Sequence, residues 1–450
     1  MNQETDGNSR ELSADLVIVG AGPAGCVLGY LLARSGVETV LLEREADLER
    51  EFRGYFFQPL VPKLFDEMGI LHDLLASVDH ETAREIYVSA FGRRYRGFNF
   101  TVLNQSYDYA LFIEQPPLLR FLIDRAEEYD NFQYYDSTSV TDIITTDDPR
   151  VDDEISGDVA TGAMVGVEAR HRPTSEEWII HSRLVVGADG RYSTVREAAG
   201  IDPGLDDVDV DILWFKLPAD AVEAETLARF ERDGFLGFIP LGDQVQVAWF
   251  IEAGGYPELR ERGIGAFREQ VRAVDPTLEG VLENHLTDWN DCTLLHPAPG
   301  ESEEWVRDGL MLIGDAAHVA NPFGGQGNSL AIQDAVVAHP VIVQALMDQD
   351  KTRRESTTNR PLSRGQLESY ENVRRPAVRT VMDAQAAQTR GVEFMVGSQK
   401  WLPGPVYEYL LRGALGLADK FPMLGRRRTR LYAYGPEPIS VETSLFVENT

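Results

Sequence analysis

Two cysteines, Cys26 and Cys292, are too few for a disulfide framework, and no paired-cysteine redox spacing is present. Lysine is nearly as scarce. It stands at positions 63, 216, 351, 400 and 420, and arginine supplies the rest of the 42 basic residues. Against them stand 73 acidic residues, for a formal net charge of −31. So acidic a chain is unsuited to binding nucleic acid or an anionic membrane surface. Metal-ligand spacing, a nucleophile elbow and a Ser-His-Asp arrangement are all missing, which leaves no metal site and no hydrolytic triad to propose. Residues 1–15 are polar and acidic and lack the basic start and apolar core of a signal peptide; the expected location is the cytoplasm.

The one long charge-free run, Leu16–Ala33, has the length of a membrane span. Gly20, Gly22, Pro23 and Gly25 would break a helix near its start, so it reads better as strand, turn and helix. Val17 to Val19 suit a buried parallel strand. Gly20 makes the sharp turn, Gly22 lets backbone approach a diphosphate, and Gly25 lets the next helix pack close to the strand. That helix is expected over Pro23–Arg34, closed by Gly36, with Ala24 in its first turn and its N-terminal amides facing phosphate. A second strand, Thr39–Leu42, ends at Glu43, placed to hold ribose hydroxyls.

Two later segments repeat the pattern of apolar strand and glycine-rich turn. Leu184–Gly187 leads into Asp189, Gly190, Ser193 and Arg196. Leu310–Ile313 leads into Gly314, Asp315 and His318, then Asn321-Pro322-Phe323-Gly324-Gly325-Gln326-Gly327-Asn328-Ser329. The amides of the last stretch, just before a helix, would stabilise negative charge on a bound group. Taken singly, Asp189, Asp315 and Gln115 also read as helix caps, and His318 as a structural histidine.

Between these segments, Glu85–Ala110 alternates and reads as a hairpin. Residues 115–129 read as a helix, and 145–178 as a hairpin with an acidic, mobile loop near 147–160. Ile212–Leu217, Phe235–Pro240 and Val245–Ile251 suggest a second, antiparallel sheet, followed by helical sequence over 258–287. Residues 327–347 and 365–395 read as helices around a linker at 351–364. Residues 396–434, with Arg426–Arg428, leave a lid, a subunit contact and a peripheral membrane contact open. Trp214, Phe238, Trp249 and Phe323 fit an apolar pocket or a core equally well.

In this order the three glycine segments resemble the FAD-dependent aromatic-ring monooxygenases of the para-hydroxybenzoate hydroxylase type, over roughly residues 14–340. The resemblance implies an α/β fold: a Rossmann-like FAD-binding domain, an inserted antiparallel substrate sheet and a helical C-terminal extension. The expected boundaries are 12–84, 111–205 and 300–350 for FAD, 85–110 and 206–299 for substrate, and 365–450 for the helical region. It further implies cofactor contacts from Arg44, Arg53 and Gln115, a nicotinamide-linked role beside FAD for Asp189, and a ribityl contact for Asp315. The family usually carries asparagine where this chain has Ser329, with Asn328 one place earlier, which puts a side-chain contact there in doubt. No side chain stands out as a catalytic acid or base, or as an attachment point for FAD.

The implied reaction uses transient NADH or NADPH and O2 to hydroxylate or epoxidise an apolar aromatic or polyene molecule through a flavin C4a-hydroperoxide. A second nucleotide fingerprint is missing, unlike the disulfide reductases. Geranylgeranyl reductases share the architecture but often carry Tyr-x-Trp-x-Phe-Pro; here the run is Phe235-Leu-Gly237-Phe-Ile239-Pro240 and keeps only the proline. The Trp-x-Trp-x-Ile-Pro motif of flavin halogenases is missing as well. A flavoprotein without enzymatic activity is the alternative from another class. The acidity with scarce lysine resembles haloarchaeal proteins, whose salt-rich cytoplasm screens self-repulsion.

Overall fold

The computed structural model describes residues 9–48, 56–151, 160–222, 226–232, 234–352, 360–398, 403–420 and 425–447. Strand β1 (Ser9–Val19), helix α1 (Pro23–Arg34) and strand β2 (Thr39–Leu42) open it; α1 and β2 have the expected bounds, while β1 starts eight residues before Val17 because Ser9–Ala14 also pair with β8. A hairpin, β3 (Glu85–Ala90) and β4 (Arg93–Asn99), precedes helix α2 (Gln115–Ala126). Strands β5 (Phe132–Tyr135), β6 (Thr138–Thr145), β7 (Met164–His171) and β8 (Glu176–Gly187) lead to the short helix α3 (Thr194–Ala198). Then come β9 (Val210–Pro218), β10 (Thr226–Glu231), β11 (Gly234–Leu241) and β12 (Gln244–Glu252), followed by helices α4 (Tyr256–Glu261), α5 (Ile264–Val274) and α6 (Glu279–His285). Strands β13 (Thr293–Leu295), β14 (Val306–Arg307) and β15 (Leu310–Leu312) precede helices α7 (Gly327–Thr352), α8 (Arg364–Ser398), α9 (Gly404–Lys420) and α10 (Arg426–Tyr434).

The first sheet runs β14-β15-β8-β1-β2-β5, and β7 and β6 extend it from β8. The strands β15, β8, β1, β2 and β5 are parallel, so all three glycine segments leave the same end of one sheet. Leu16, Val17 and Ile18 are sealed from solvent. At about 1.5–3 kcal/mol per buried aliphatic side chain, this short run anchors the turn that follows it. Helix α7 has the length and apolarity to cross a membrane, yet 72% of its most apolar stretch is buried in the protein. It packs against α1 and α8 as a core helix.

The second sheet runs β13-β9-β12-β11-β10-β3-β4. It contains the three expected strands and joins to them the β3–β4 hairpin from earlier in the chain, through a parallel β3–β10 pairing. Its two faces differ. Leu213, Phe215, Leu236, Phe238, Val247 and Trp249 form one face and pack on α4–α6 around Phe267 and Val271. Phe238 and Trp249 are therefore core residues and do not line a pocket. The 145–178 expectation resolves into two hairpins, β6–β7 and β7–β8; residues 152–159 of the acidic loop and 353–359 of the linker lie outside the described residues.

Candidate functional site

Each glycine turn is held by contacts with the others. Gly20 has φ +104 and donates its N–H to Leu42 O at 2.8 Å. A Cβ there would lie 2.6 Å from Ala188 O, so the first turn touches the backbone just before Asp189. A Cβ on Gly25 would lie 2.0 Å from Gly20 O, which is why the helix can start this close to the strand. Gly22 is the N-cap of α1, Pro23 occupies its first turn, and no side chain caps it. The helical ladder starts with Cys26 N–H to Gly22 O. The earlier amides are thus left for an anion, and the positive end of the helix dipole adds to their pull.

Glu43 is 3% exposed at the tip of β2. Its carboxylate accepts from Ala21 N at 2.9 Å and Glu45 N at 3.1 Å, which ties the ribose-binding candidate to the first turn. Arg44 points outward, 65% exposed, and pairs with Glu45 at 3.0 Å. Arg53 lies outside the described residues.

Asp189 shares the capping of α3 with Ser193. Ser193 is the N-cap and accepts from Arg196 N at 3.0 Å, while Asp189 accepts from Val195 N at 3.2 Å. Burial pushes the Asp189 carboxyl above its usual range despite these donors. Its Oδ1 has no partner among the described residues. Arg196 links the second and third segments, donating to Ala316 O at 2.9 Å and to Arg191 O at 2.5 Å.

Gly314 and Asp315 form a short turn wedged between α1 and α7; a Cβ on Gly314 would meet Ala24 and Ala331 at 3.2 and 3.3 Å. The half-buried Asp315 carboxylate makes no hydrogen bond or ion pair among the described residues. The turn is fastened from below by Asp334, which sequence reasoning missed. Asp334 Oδ2 accepts from Gly314 N at 2.9 Å and from His318 Nε2 at 2.6 Å, and its Oδ1 meets Arg374 Nε at 2.8 Å. Burial pushes the Asp334 carboxyl up, but His318 and Arg374 outweigh it and hold it below the usual range. His318 is thus structural, as the sequence suggested.

The Pro322–Gly327 loop closes the site. Gly325 is exposed, with φ +58. Gln58 donates to Gly325 O at 3.0 Å, Tyr432 donates to Gly324 O at 3.1 Å, and Gln385 donates to Gln326 Oε1 at 3.1 Å. Burial lifts the Tyr432 phenol to about 12, so it stays protonated as the donor. Ser329 turns inward to Gln58, so at the position where the family has asparagine the hydroxyl is engaged within the protein. Asn328 instead accepts from Gln115 Nε2 at 3.3 Å, leaving the buried Gln115 Oε1 without a partner. The side chain of Phe323 lies outside the description. Gln58, Gln385 and Tyr432 carry no local signal in the sequence, because each is defined only by the loop it meets.

These residues fit FAD. The uncapped α1 terminus suits its diphosphate, Glu43 its ribose and Asp315 its ribityl chain, and the orphaned Asp189 and Gln115 oxygens face polar demand that the protein leaves unmet. Asp315→Ala should weaken FAD retention on the order of fivefold, about 1 kcal/mol for a lost hydrogen bond. Fluorescence titration of the apoprotein with FAD checks this, and equal affinity in variant and parent refutes the ribityl role.

Facing away from α4–α6, the second sheet carries a register row Tyr95, Val88, Ala228, Gly237, Ala248, Trp214. Its middle is made of small residues, between a tyrosine and a tryptophan, and Tyr95, Ala228 and Ala248 are buried. The next row stacks Phe230 on Phe235 and Phe235 on Phe250, with centroids 4.2 and 4.6 Å apart. Arg191 ties this sheet to the Asp189 segment by donating to His296 O at 2.8 Å. A surface groove of about 630 Å³ beside α7, lined by Gln344, Asp348 and Glu442 among others, shares no residue with the glycine turns. Its acidic lining suits neither FAD nor an apolar ring.

A family model described as an FAD binding domain matches residues 13–385. A 6-methylpretetramide 4-monooxygenase from Streptomyces rimosus is 32% identical over 435 residues, covering 96% of this chain and 95% of that protein. A digeranylgeranylglycerophospholipid reductase from Methanococcus vannielii is 24% identical, over 75% of this chain and 78% of its own length. The solved structure of p-nitrophenol 4-monooxygenase from Pseudomonas putida matches with a TM-score of 0.72 at 18% identity, over 95% of this chain and 100% of that one, a likeness of fold.

Proposed function

The chain belongs to the FAD-binding monooxygenase family, and on that footing we propose that it uses NAD(P)H to place one atom of O2 on a flat, fused-ring aromatic molecule of the polyketide type. The observation that carries the substrate class is the row of small residues on the second sheet, which we read as a flat trough. Ala228, Gly237 and Ala248 leave room for a planar ring system, and Trp214 and the phenylalanine stack offer aromatic walls. A relative that covers 96% of the chain is named for 6-methylpretetramide.

Bound FAD would supply the activation of O2. The chain's own residues do the rest. The α1 terminus and Glu43 anchor the far end of the cofactor, and Asp315 orients its ribityl chain. The Gly325–Gly327 amides, at the positive end of the α7 dipole, favour the anionic reduced state. The apolar sheet face excludes water from the reacting edge. On this reading 12–84, 111–205 and 300–350 hold FAD, 85–110 and 206–299 hold substrate, 365–450 closes the site, and the enzyme works in the cytoplasm.

The second reading is a prenyl reductase, favoured by the 24% relative. Gly237 argues against it, since the tryptophan of the reductase motif would fill the trough. Turnover of 6-methylpretetramide with NADPH under oxygen-18 gas tests both readings. One labelled atom in the product supports oxygenation. A product that gains hydrogen and no label, formed equally well under nitrogen, overturns it.

A further inference from the structure

Four arginines, Arg426, Arg427, Arg428 and Arg430, are exposed on α10. The chain carries 73 carboxylates against 42 basic residues, and exposed arginines elsewhere find one: Arg84 meets Asp108, and Arg379 meets Glu301. None of these four makes an ion pair among the described residues. The acids of α9 are engaged, Glu408 by Arg412 at 2.8 Å and Asp419 by the Arg96 amide at 3.3 Å. Three of the four occupy the first turn of α10, where the helix dipole disfavours positive charge. Local electrostatics thus work against the cluster, and an external anion would relieve the conflict.

The cluster is coupled to the cofactor loop. The Arg428 guanidinium lies 5.1 Å over the Phe98 ring, and Phe98 stacks on Tyr432 at 4.2 Å. Tyr432 in turn donates to Gly324 O. Arg428 and Tyr432 are four residues apart, about one helical turn of 5.4 Å. Two ring contacts and one hydrogen bond thus join the arginine-bearing helix to the loop.

We infer that Arg426, Arg427 and Arg430, steadied by Arg428 on its aromatic stack, form the docking site for the diphosphate of the reduced nicotinamide dinucleotide. The inference rests on the NAD(P)H-dependent reading above. The α1 terminus is committed to the diphosphate of FAD, and the sequence carries no second nucleotide fingerprint. A polyanionic reductant must also approach a chain of charge −31, which requires a locally positive landing point. Arginine matches a phosphate through paired N–H donors. The competing occupant is a lipid surface reached through the exposed Tyr409, Leu410 and Leu417 of α9. The overall acidity and the link to the Gly324 loop favour the dinucleotide.

The test uses the full FAD-loaded chain and its R426Q/R427Q/R430Q variant. Anaerobic mixing with NADPH gives an apparent Kd and a limiting rate of flavin reduction. Equilibrium dialysis of NADP⁺ gives a Kd with no turnover. Both Kd values should rise about tenfold or more, equivalent to about 1.4 kcal/mol. The limiting rate, the FAD content and reduction by dithionite should stay within about twofold. The R426K/R427K/R430K variant should recover most of the binding, because it restores the charge. Unchanged Kd values in the glutamine variant overturn the inference. So does a variant with unchanged Kd that no longer cosediments with phosphatidylglycerol vesicles, which would assign the cluster to lipid. A parent enzyme whose flavin neither NADPH nor NADH reduces overturns the proposed function instead, and the dialysis still decides the docking site.

Discussion

Asp334→Ala should cost about 3–5 kcal/mol of stability, the effect of removing one partner from a buried ion pair. Asp334 and Arg374 are both fully buried. Without Asp334, Arg374 keeps, among the described residues, only Glu437, at 2.9 Å, as a counter-charge, His318 loses its acceptor, and the Gly314 amide is orphaned. Because Gly314 leads into Asp315, FAD release should accompany the loss. The low carboxyl pKa fixes the pH sense. Its stabilising contribution is present above the carboxylate's unfolded pKa and disappears as pH falls through the lower folded value. Thermal melts of parent and variant, followed by flavin fluorescence, check this. The Asp334→Ala/Arg374→Met double variant should regain part of the loss, since it removes the uncompensated charge. A single variant that melts with the parent and keeps its FAD would show that the network is dispensable.

Raising KCl from 0.01 to 1 M should stabilise the fold by a few kcal/mol, roughly 2–4 °C in Tm for a chain of this size. Two opposite effects compete. Salt weakens the many surface ion pairs, such as Arg272 with Glu269 and Glu279, but exposed pairs contribute about 0–1 kcal/mol each. It also screens the repulsion among the excess carboxylates behind the net charge of −31. The Debye length falls from about 30 Å to about 3 Å across this range, so long-range repulsion is almost removed while short contacts partly persist. Stabilisation should win, in keeping with our proposal that the protein is adapted to a salt-rich cytoplasm. A Tm that falls steadily with KCl would contradict it.

The turns were legible in sequence because their constraints are local. Gly20 needs a positive φ and Gly25 needs the absence of a Cβ, and such demands leave the same residue types wherever the turn occurs. Bounds such as Pro23–Arg34 and Thr39–Leu42 followed from those turns. The supports under the turns were not legible. Asp334 lies mid-helix and reads as one more acid in an acidic chain until His318 and Arg374 converge on it from other elements. Gln58 and Tyr432 likewise gain meaning only from the loop between them.

By itself, the sequence determined the glycine turns and the strands that present them, because periodicity and backbone sterics act within a few residues; the family came from the resemblance of those segments to known motifs. It also determined that Phe238 shares a face with Leu236, since strands alternate with period two. Only the tertiary structure decided which distant elements cover that sheet: α4–α6 pack on the face of Phe238 and Trp249, which are core, while Ala228, Gly237, Ala248 and Trp214 lie on the opposite face together with Lys216 and Gln246. Strand alternation assigns residues to faces, but it cannot say which helices, far along the chain, will bury one of them. That depends on where distant apolar surfaces meet once the chain has folded.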